Sequence, residues 1–204
     1  VTDTFIRCDV YPGAHGMETL EDVLKNSCND ALMAIGAKMG ISDFIKYQSL
    51  FNFGSKTGID LPEEIAGIVY DQKGMNEVEL ATCTFGQGFT CTMIQQIASF
   101  CAVVNGGYYY QPHVVEKVLD ENGKIIKSSD GMLLKQPISN HVSSLLRQYL
   151  ETTVSEGTGR KAQVPGYRVG GKTGTAEKID YTTGTRAAGK YLVSFIGAVP
   201  INDP

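Results

Sequence analysis

The sequence has 204 residues, 42% of them hydrophobic and 20% charged, with a net charge of -4. That balance describes a water-soluble globular domain, or a piece of a longer chain, with a real core. Acidity and the lack of any basic run exclude a nucleic-acid face, and no apolar run reaches the roughly 18 residues that span a bilayer.

In chain order, Met17 to Lys25 carries Leu20, Val23 and Leu24 at helical spacing. Asn26-Ser27-Cys28-Asn29 interrupts it with cap-forming residues, and a second helix runs from Asp30 to a glycine stop at Gly40. Ser42 and Asp43 open a third helix toward Phe51. Gly54, Gly58 and Pro62 make Phe53 to Pro62 a loop. Thr92 to Val104 is apolar nearly all round and closes on Asn105-Gly106-Gly107, which predicts a buried helix. Alternation on either side of Asn122-Gly123 predicts a β-hairpin. From Ser139, the stripe Val142, Leu145, Leu146, Tyr149, Leu150 and Val154 predicts a long amphipathic helix, ended by Gly157-Thr158-Gly159. Tyr167 to Thr175 and Tyr191 to Val199 read as strands, joined by a polar connection from Ile179 to Lys190. Helices early and antiparallel strands late predict an α+β class. A single domain is expected over 1–204, helix-rich from about 15 to 155 and with sheet strands from about 166 to 200.

Cys8, Cys28, Cys83, Cys91 and Cys101 form no Cys-x-x-Cys pair, and no histidine stands at metal-ligand spacing from them. They read as small apolar fillers, and neither metal nor cofactor is expected. His15, in Gly-Ala-His-Gly, reads as a loop histidine with no acidic motif to orient it, and neither His113 nor His141 is a candidate base.

Lys-Thr-Gly occurs twice, at Lys56-Thr57-Gly58 and at Lys172-Thr173-Gly174. Chance alone supplies such a triplet in about one chain in twenty of this length, so context has to decide. The first copy has no strand alternation around it and reads as a surface turn. The second follows Gly170-Gly171 and continues into Thr175-Ala176. Glycines there would leave space above a strand, where a ligand could lie as an extra strand beside Lys172, with Thr173 and Thr175 offering hydroxyls. A glycine-kinked edge strand with an exposed lysine is the plain alternative. Ser27-Cys28-Asn29 lies between two helices, where a loop can aim a serine and an amide into a cleft, or simply cap the next helix.

Ser-x-Asn and Lys-Thr-Gly belong to a motif set shared by penicillin-binding proteins and serine β-lactamases. Four long stretches resemble the transpeptidase domain of class B penicillin-binding proteins, in that family's order. They are GAHGMETLEDVLKNSCNDALMAIGAKMG, FNFGSKTGIDLPEE, TFGQGFTCTMIQQIASFCAVVNGGYYYQPHVV and EGTGRKAQVPGYRVGGKTGTAEK. The Cys of Ser-Cys-Asn and the Gly-Tyr-Arg-Val-Gly-Gly lead-in look like Gram-positive members of sporulation-specific or elongation type. The resemblance implies a partial penicillin-binding-protein/β-lactamase-like fold and serine acyl transfer on D-Ala-D-Ala peptides of peptidoglycan. Stem peptides and β-lactams would be its ligands. The parent would be anchored in the cell membrane, with this domain on the extracytoplasmic face among cell-wall synthesis partners.

The same resemblance assigns catalytic roles to Ser27, Asn29, Lys172 and Thr175. It assigns substrate contacts to Cys28, Thr173, Gly174 and Thr175, with Lys172 beside Ser27 and the Thr175 N–H as half of an oxyanion hole. The family's nucleophile is the serine of a Ser-x-x-Lys, and no serine here has lysine three positions later. The chain is therefore expected to be an internal piece, inactive alone, whose nucleophile lies upstream of residue 1. A β-lactamase-like hydrolase and a catalytically dead binding module remain as alternatives.

Overall fold

Thr19 starts the first helix, α1 (Leu20–Asn26), through a reciprocal cap. The Asp22 N–H donates to Thr19 Oγ1 at 3.2 Å and the Thr19 N–H donates to Asp22 Oδ2 at 3.1 Å. The computed structural model describes residues 6, 8, 10–180 and 182–204. α2 (Asn29–Leu50) is broken at Gly40, whose φ of 80° and ψ of 162° are not helical. The two helices predicted on either side of that glycine are thus both present.

A helix absent from the sequence reading follows, α3 (Glu77–Thr84). Asn76 caps it by accepting from the N–H groups of Val78 and Glu79, and the Asn76 N–H donates back to Glu79. Asn-x-x-Glu was the available signal, carried on a segment too short for a clear apolar period. α4 (Met93–Val104) starts at Thr92 as expected. It is less enclosed than its composition suggested, because Met93 is 80% exposed and Ile97 47%. Its inward face holds Gln95, Ala98, Ser99, Ala102 and Val104.

Short strands β1 (Tyr109–Tyr110) and β4 (Leu133–Lys135) pair antiparallel, and β2 (Lys117–Leu119) and β3 (Ile125–Ser128) form the hairpin predicted at Asn122-Gly123. The long amphipathic helix is α5 (Asn140–Ser155), followed by a single 3-10 turn at Arg160–Ala162. β5 (Gly170–Asp180) and β6 (Thr185–Ala198) pair antiparallel, with Lys172 opposite Ile196 and Thr175 opposite Val193.

Those two strands are longer than predicted. Polar residues between Ile179 and Lys190 hid them, since an exposed hairpin has no buried face to mark with apolar alternation. Asp180 makes the turn, accepting from the Thr182 N–H at 2.9 Å while its own carbonyl accepts from Gly184 at 2.8 Å. Helices with antiparallel strand pairs confirm the α+β class.

The chain divides into two compact units, residues 1–41, 73–88 and 147–204 in one, and 42–72 with 89–146 in the other. In the second, Ala98, Ala102 and Tyr109 form a buried cluster against Phe51. Gln95 is fully buried there, and its amide donates to the carbonyls of Ser55 at 2.6 Å and Ala66 at 2.8 Å. One side chain therefore ties the irregular segment between those residues to α4. In the first unit, α2 and α3 meet closely enough that a Cβ on Gly36 would stand 2.1 Å from Thr84 Cγ2.

Candidate active site

Ser27 sits where α1 ends. Its N–H donates to the Leu24 carbonyl at 3.3 Å and the Cys28 N–H to the Val23 carbonyl at 3.1 Å, the double closure of a Schellman turn. Such a turn needs a left-handed residue, and Ser27 takes that place with φ 55° and ψ 46°. A side chain held there costs on the order of 1–2 kcal/mol that glycine would avoid. Strain of this kind is commonly kept where a side chain must be aimed.

The target is on β5. Lys172 Nζ donates to Ser27 Oγ at 2.7 Å and to the carbonyl of Thr173 at 3.1 Å. Both side chains are half-buried, so the ammonium works in a partly dry setting. Asn29 opens α2 two residues beyond Ser27, also half-buried. Thr173 donates to Thr158 Oγ1 at 3.2 Å, and alternation puts Thr175 on the same strand face, exposed. Gly174 lies between them with Ser194 Oγ 2.7 Å from where its Cβ would be. Along the Thr173 face runs a cleft of about 470 Å³ lined by Thr158, Lys161, Val193 and Phe195 among others. Ser27 and Lys172 are not among its lining residues.

Thr158 was not singled out from the sequence. It is brought in by Gly157, whose Cβ would lie 2.4 Å from the Lys25 carbonyl oxygen, and by its own N–H, which donates to that carbonyl at 3.1 Å. The flanking glycines of Gly-Thr-Gly were the signal, because a chain without side chains can approach a helix end that closely.

The glycines before Lys172 act differently from the expectation. They do not leave open space: a Cβ on Gly170 would stand 2.4 Å from Ile201 Cγ1, and one on Gly171 2.4 Å from Phe195 Cζ. Both are buried, and their role is close packing that fixes the strand carrying Lys172. At the start of that strand, Arg168 grips Glu151 of α5 with a two-pronged ion pair at 2.7 and 2.6 Å. The Arg168 guanidinium holds the Glu151 carboxyl below its usual range despite partial burial.

Cys28 faces away from solvent, 5% exposed. Burial pushes its thiol up to about 12, and the Glu18 carboxyl and Cys8 push the same way. Its sulfur lies with those of Cys8 and His15 Nδ1 or Nε2 in a group whose ligand atoms all fall within 4.8 Å of one another. Sequence spacing gave no sign of that grouping, because the fold, not local sequence, brings the three together.

The other Lys-Thr-Gly lies in an irregular stretch just past the turn at 51–54, rather than in a turn of its own as expected, and Glu64 clamps it. Thr57 is 3% exposed, and its N–H and hydroxyl both donate to Glu64 Oε1 at 2.6 Å, while the Gly58 N–H donates to Oε2 at 3.0 Å. Lys56 itself is exposed. Burial pushes the Glu64 carboxyl up, but the Thr57 and Gly58 donors and Lys56 outweigh it and the carboxyl titrates below its ordinary range.

A model of the penicillin-binding protein transpeptidase domain matches residues 9–204. The chain belongs to this family. Stage V sporulation protein D of Bacillus subtilis is 44% identical over 94% of the chain, and penicillin-binding protein H of the same organism is 34% identical over 78%. The chain spans 30% of the length of the first relative and 23% of the second. Among solved structures, penicillin-binding protein 3 of Mycobacterium tuberculosis, in complex with aztreonam, superposes with a TM-score of 0.86 at 26% identity, over 91% of this chain and 43% of that one. The transpeptidase domain of Burkholderia pseudomallei penicillin-binding protein 3 gives 0.83 at 26% identity, over 98% and 56%.

Proposed function

We propose that the protein is a penicillin-binding D,D-transpeptidase that cross-links peptidoglycan by serine acyl transfer. One observation supports this most: in a chain of the transpeptidase family, the lysine of Lys-Thr-Gly donates to the serine of Ser-x-Asn at 2.7 Å. The nucleophilic serine is placed outside these residues, since none of the serines has lysine three positions later. It attacks the D-Ala-D-Ala amide, D-alanine leaves, and the amine of a neighbouring stem peptide takes the acyl group. Splitting amide exchange this way replaces one hard step with two easier ones.

Each residue of this chain then has a part. Amide nitrogen leaves only if protonated, and Ser27 Oγ, polarised by Lys172, passes the proton, a service worth ~10²–10⁴ in rate. Asn29 both accepts from and donates to the substrate's own amide. The Thr173 and Thr175 hydroxyls bind the terminal carboxylate, with Lys172 supplying positive charge. The Thr175 N–H stabilises the oxyanion, worth ~10²–10³. Cys28 and Gly174 contribute through backbone and shape. On this reading the parent sits in the cell membrane with this domain on the extracytoplasmic face; among the described residues no helix is long and apolar enough to cross a membrane. The 44% identity to a sporulation protein favours a spore-related programme over elongation or division.

Labelling with a fluorescent penicillin tests the proposal. The full-length protein takes a stable covalent label, mapped by mass spectrometry to a serine followed three residues later by lysine, outside this sequence. The 204-residue chain alone takes none. A full-length protein that stays unlabelled is a binding module, and one whose label turns over within minutes is a β-lactamase-like hydrolase.

A further inference from the structure

Cys8, His15 and Cys28 come from three separate segments, Cys8 from residues before the 10–13 turn, His15 from the loop before α1 and Cys28 from the junction between α1 and α2. The loop around His15 is exposed at Ala14 and Gly16, yet the His15 side chain is half-buried. Cys8 and Cys28 are each 5% exposed, and neither is in a disulfide. Cys8 Sγ lies 3.7 Å from His15 Nδ1, and all three ligand atoms lie within 4.8 Å of one another.

From these distances we infer that Cys8, His15 and Cys28 form a binding site for one thiophilic cation, with zinc the best fit. Bond lengths of about 2.3 Å to sulfur and 2.0–2.1 Å to nitrogen, set at tetrahedral angles, put neighbouring ligand atoms about 3.5–3.8 Å apart. The Cys8–His15 distance already matches such an edge, and the rest close by movements within the reach of a rotamer. Two sulfurs and an imidazole favour zinc or copper(I) over magnesium or calcium, which take oxygen. The other cysteines, Cys83, Cys91 and Cys101, join no such cluster among the described residues.

Binding converts two thiols to thiolates and releases their two protons to solvent, so a divalent ion leaves the site neutral. Three protein ligands leave a fourth position for water. Glu18, within hydrogen-bonding reach of the Cys28 thiol, stands beside it as an outer partner, and its Oε1 is held by Asn26 Nδ2 at 2.7 Å. Cys28 is the residue between Ser27 and Asn29, so a bound ion would fix the backbone that aims both. That consequence rests on the function proposed above, whereas binding itself does not.

Metal titration of the full-length protein, kept reduced with a phosphine and cleared of metal by dialysis against chelator, decides the matter. Cobalt(II) is expected to bind at one equivalent, giving sulfur-to-cobalt charge-transfer bands and the visible bands of a tetrahedral site, both bleached by one equivalent of zinc. Cys8→Ser, Cys28→Ser and His15→Ala should each weaken zinc binding by more than the roughly 10–100-fold that loss of an outer partner costs. Cys83→Ser should bind as the wild type does. The cobalt spectrum of the unmutated protein needs no variant to fold. Reduced wild-type protein that shows no charge-transfer band, or binding unchanged in both Cys8→Ser and Cys28→Ser, would overturn the site. Penicillin labelling is not involved, so this outcome is independent of whether the acyl-transfer reading stands.

Discussion

Ser27 occupies a backbone conformation that suits glycine, and uses it to meet Lys172. Stability and function therefore separate at this residue. Ser27→Gly relieves the left-handed strain, about 1–2 kcal/mol, and gives up a hydrogen bond of similar net worth. Urea unfolding should place the variant within about 1 kcal/mol of the wild type, while penicillin acylation of the full-length protein falls on the order of 10²-fold. A variant that unfolds easily and acylates normally would make Ser27 a structural cap. Glu64 shows the opposite balance. It holds the Thr57 and Gly58 amides and the buried Thr57 hydroxyl, so Glu64→Ala strands those donors and should cost about 1–3 kcal/mol with little effect on acylation. Unfolding midpoints of the two variants, compared side by side, check both statements.

At the scale of elements, β5 owes its position to what stands over its glycines. Gly171 would bring a Cβ 2.6 Å from the Ile196 carbonyl oxygen, and backbone cannot swing aside as a side chain can. Gly171→Ala should therefore destabilise by about 1–3 kcal/mol in urea unfolding, and a neutral result would mean the strand pair is looser than its register suggests. The same elements show what sequence can and cannot carry. Helices α1, α2, α4 and α5 were readable because capping residues and glycine stops act locally. The Asn122-Gly123 hairpin was readable for the same reason. α3 was not, being eight residues with a weak apolar period, nor was the far half of the β5–β6 hairpin, whose polar surface follows no inside-outside alternation. In the candidate site, the contact between Ser27 and Lys172 was legible only through motif and family order, since they stand 145 positions apart. Thr158 and the Cys8–His15–Cys28 cluster depend on approach in space, which spacing along the chain does not encode.

Across the whole molecule, acid is the expected weak point. Backbone N–H groups of Val115 and Val114 hold Asp60 below its ordinary value of 3.8, and Thr182 does the same for Asp180. Glu64 and Glu151 are held below 4.5. A carboxyl whose pKa is depressed by folding stabilises the fold above its unfolded value and loses that contribution as pH falls through the folded one. The urea midpoint should thus be lower at pH 3 than at pH 7, and a midpoint that rose on acidification would contradict the assignment of these four groups.

The central claim concerns function: of two identical triplets, the one on β5 is chemical and the one beside Glu64 is structural. Penicillin acylation rates of the full-length protein, measured for Lys172→Ala and Lys56→Ala against the wild type, test it most directly. Lys172→Ala should lose on the order of 10²–10⁴ in rate, and Lys56→Ala should remain close to the wild type. Equal losses in the two variants, or a larger loss at Lys56, would contradict the account.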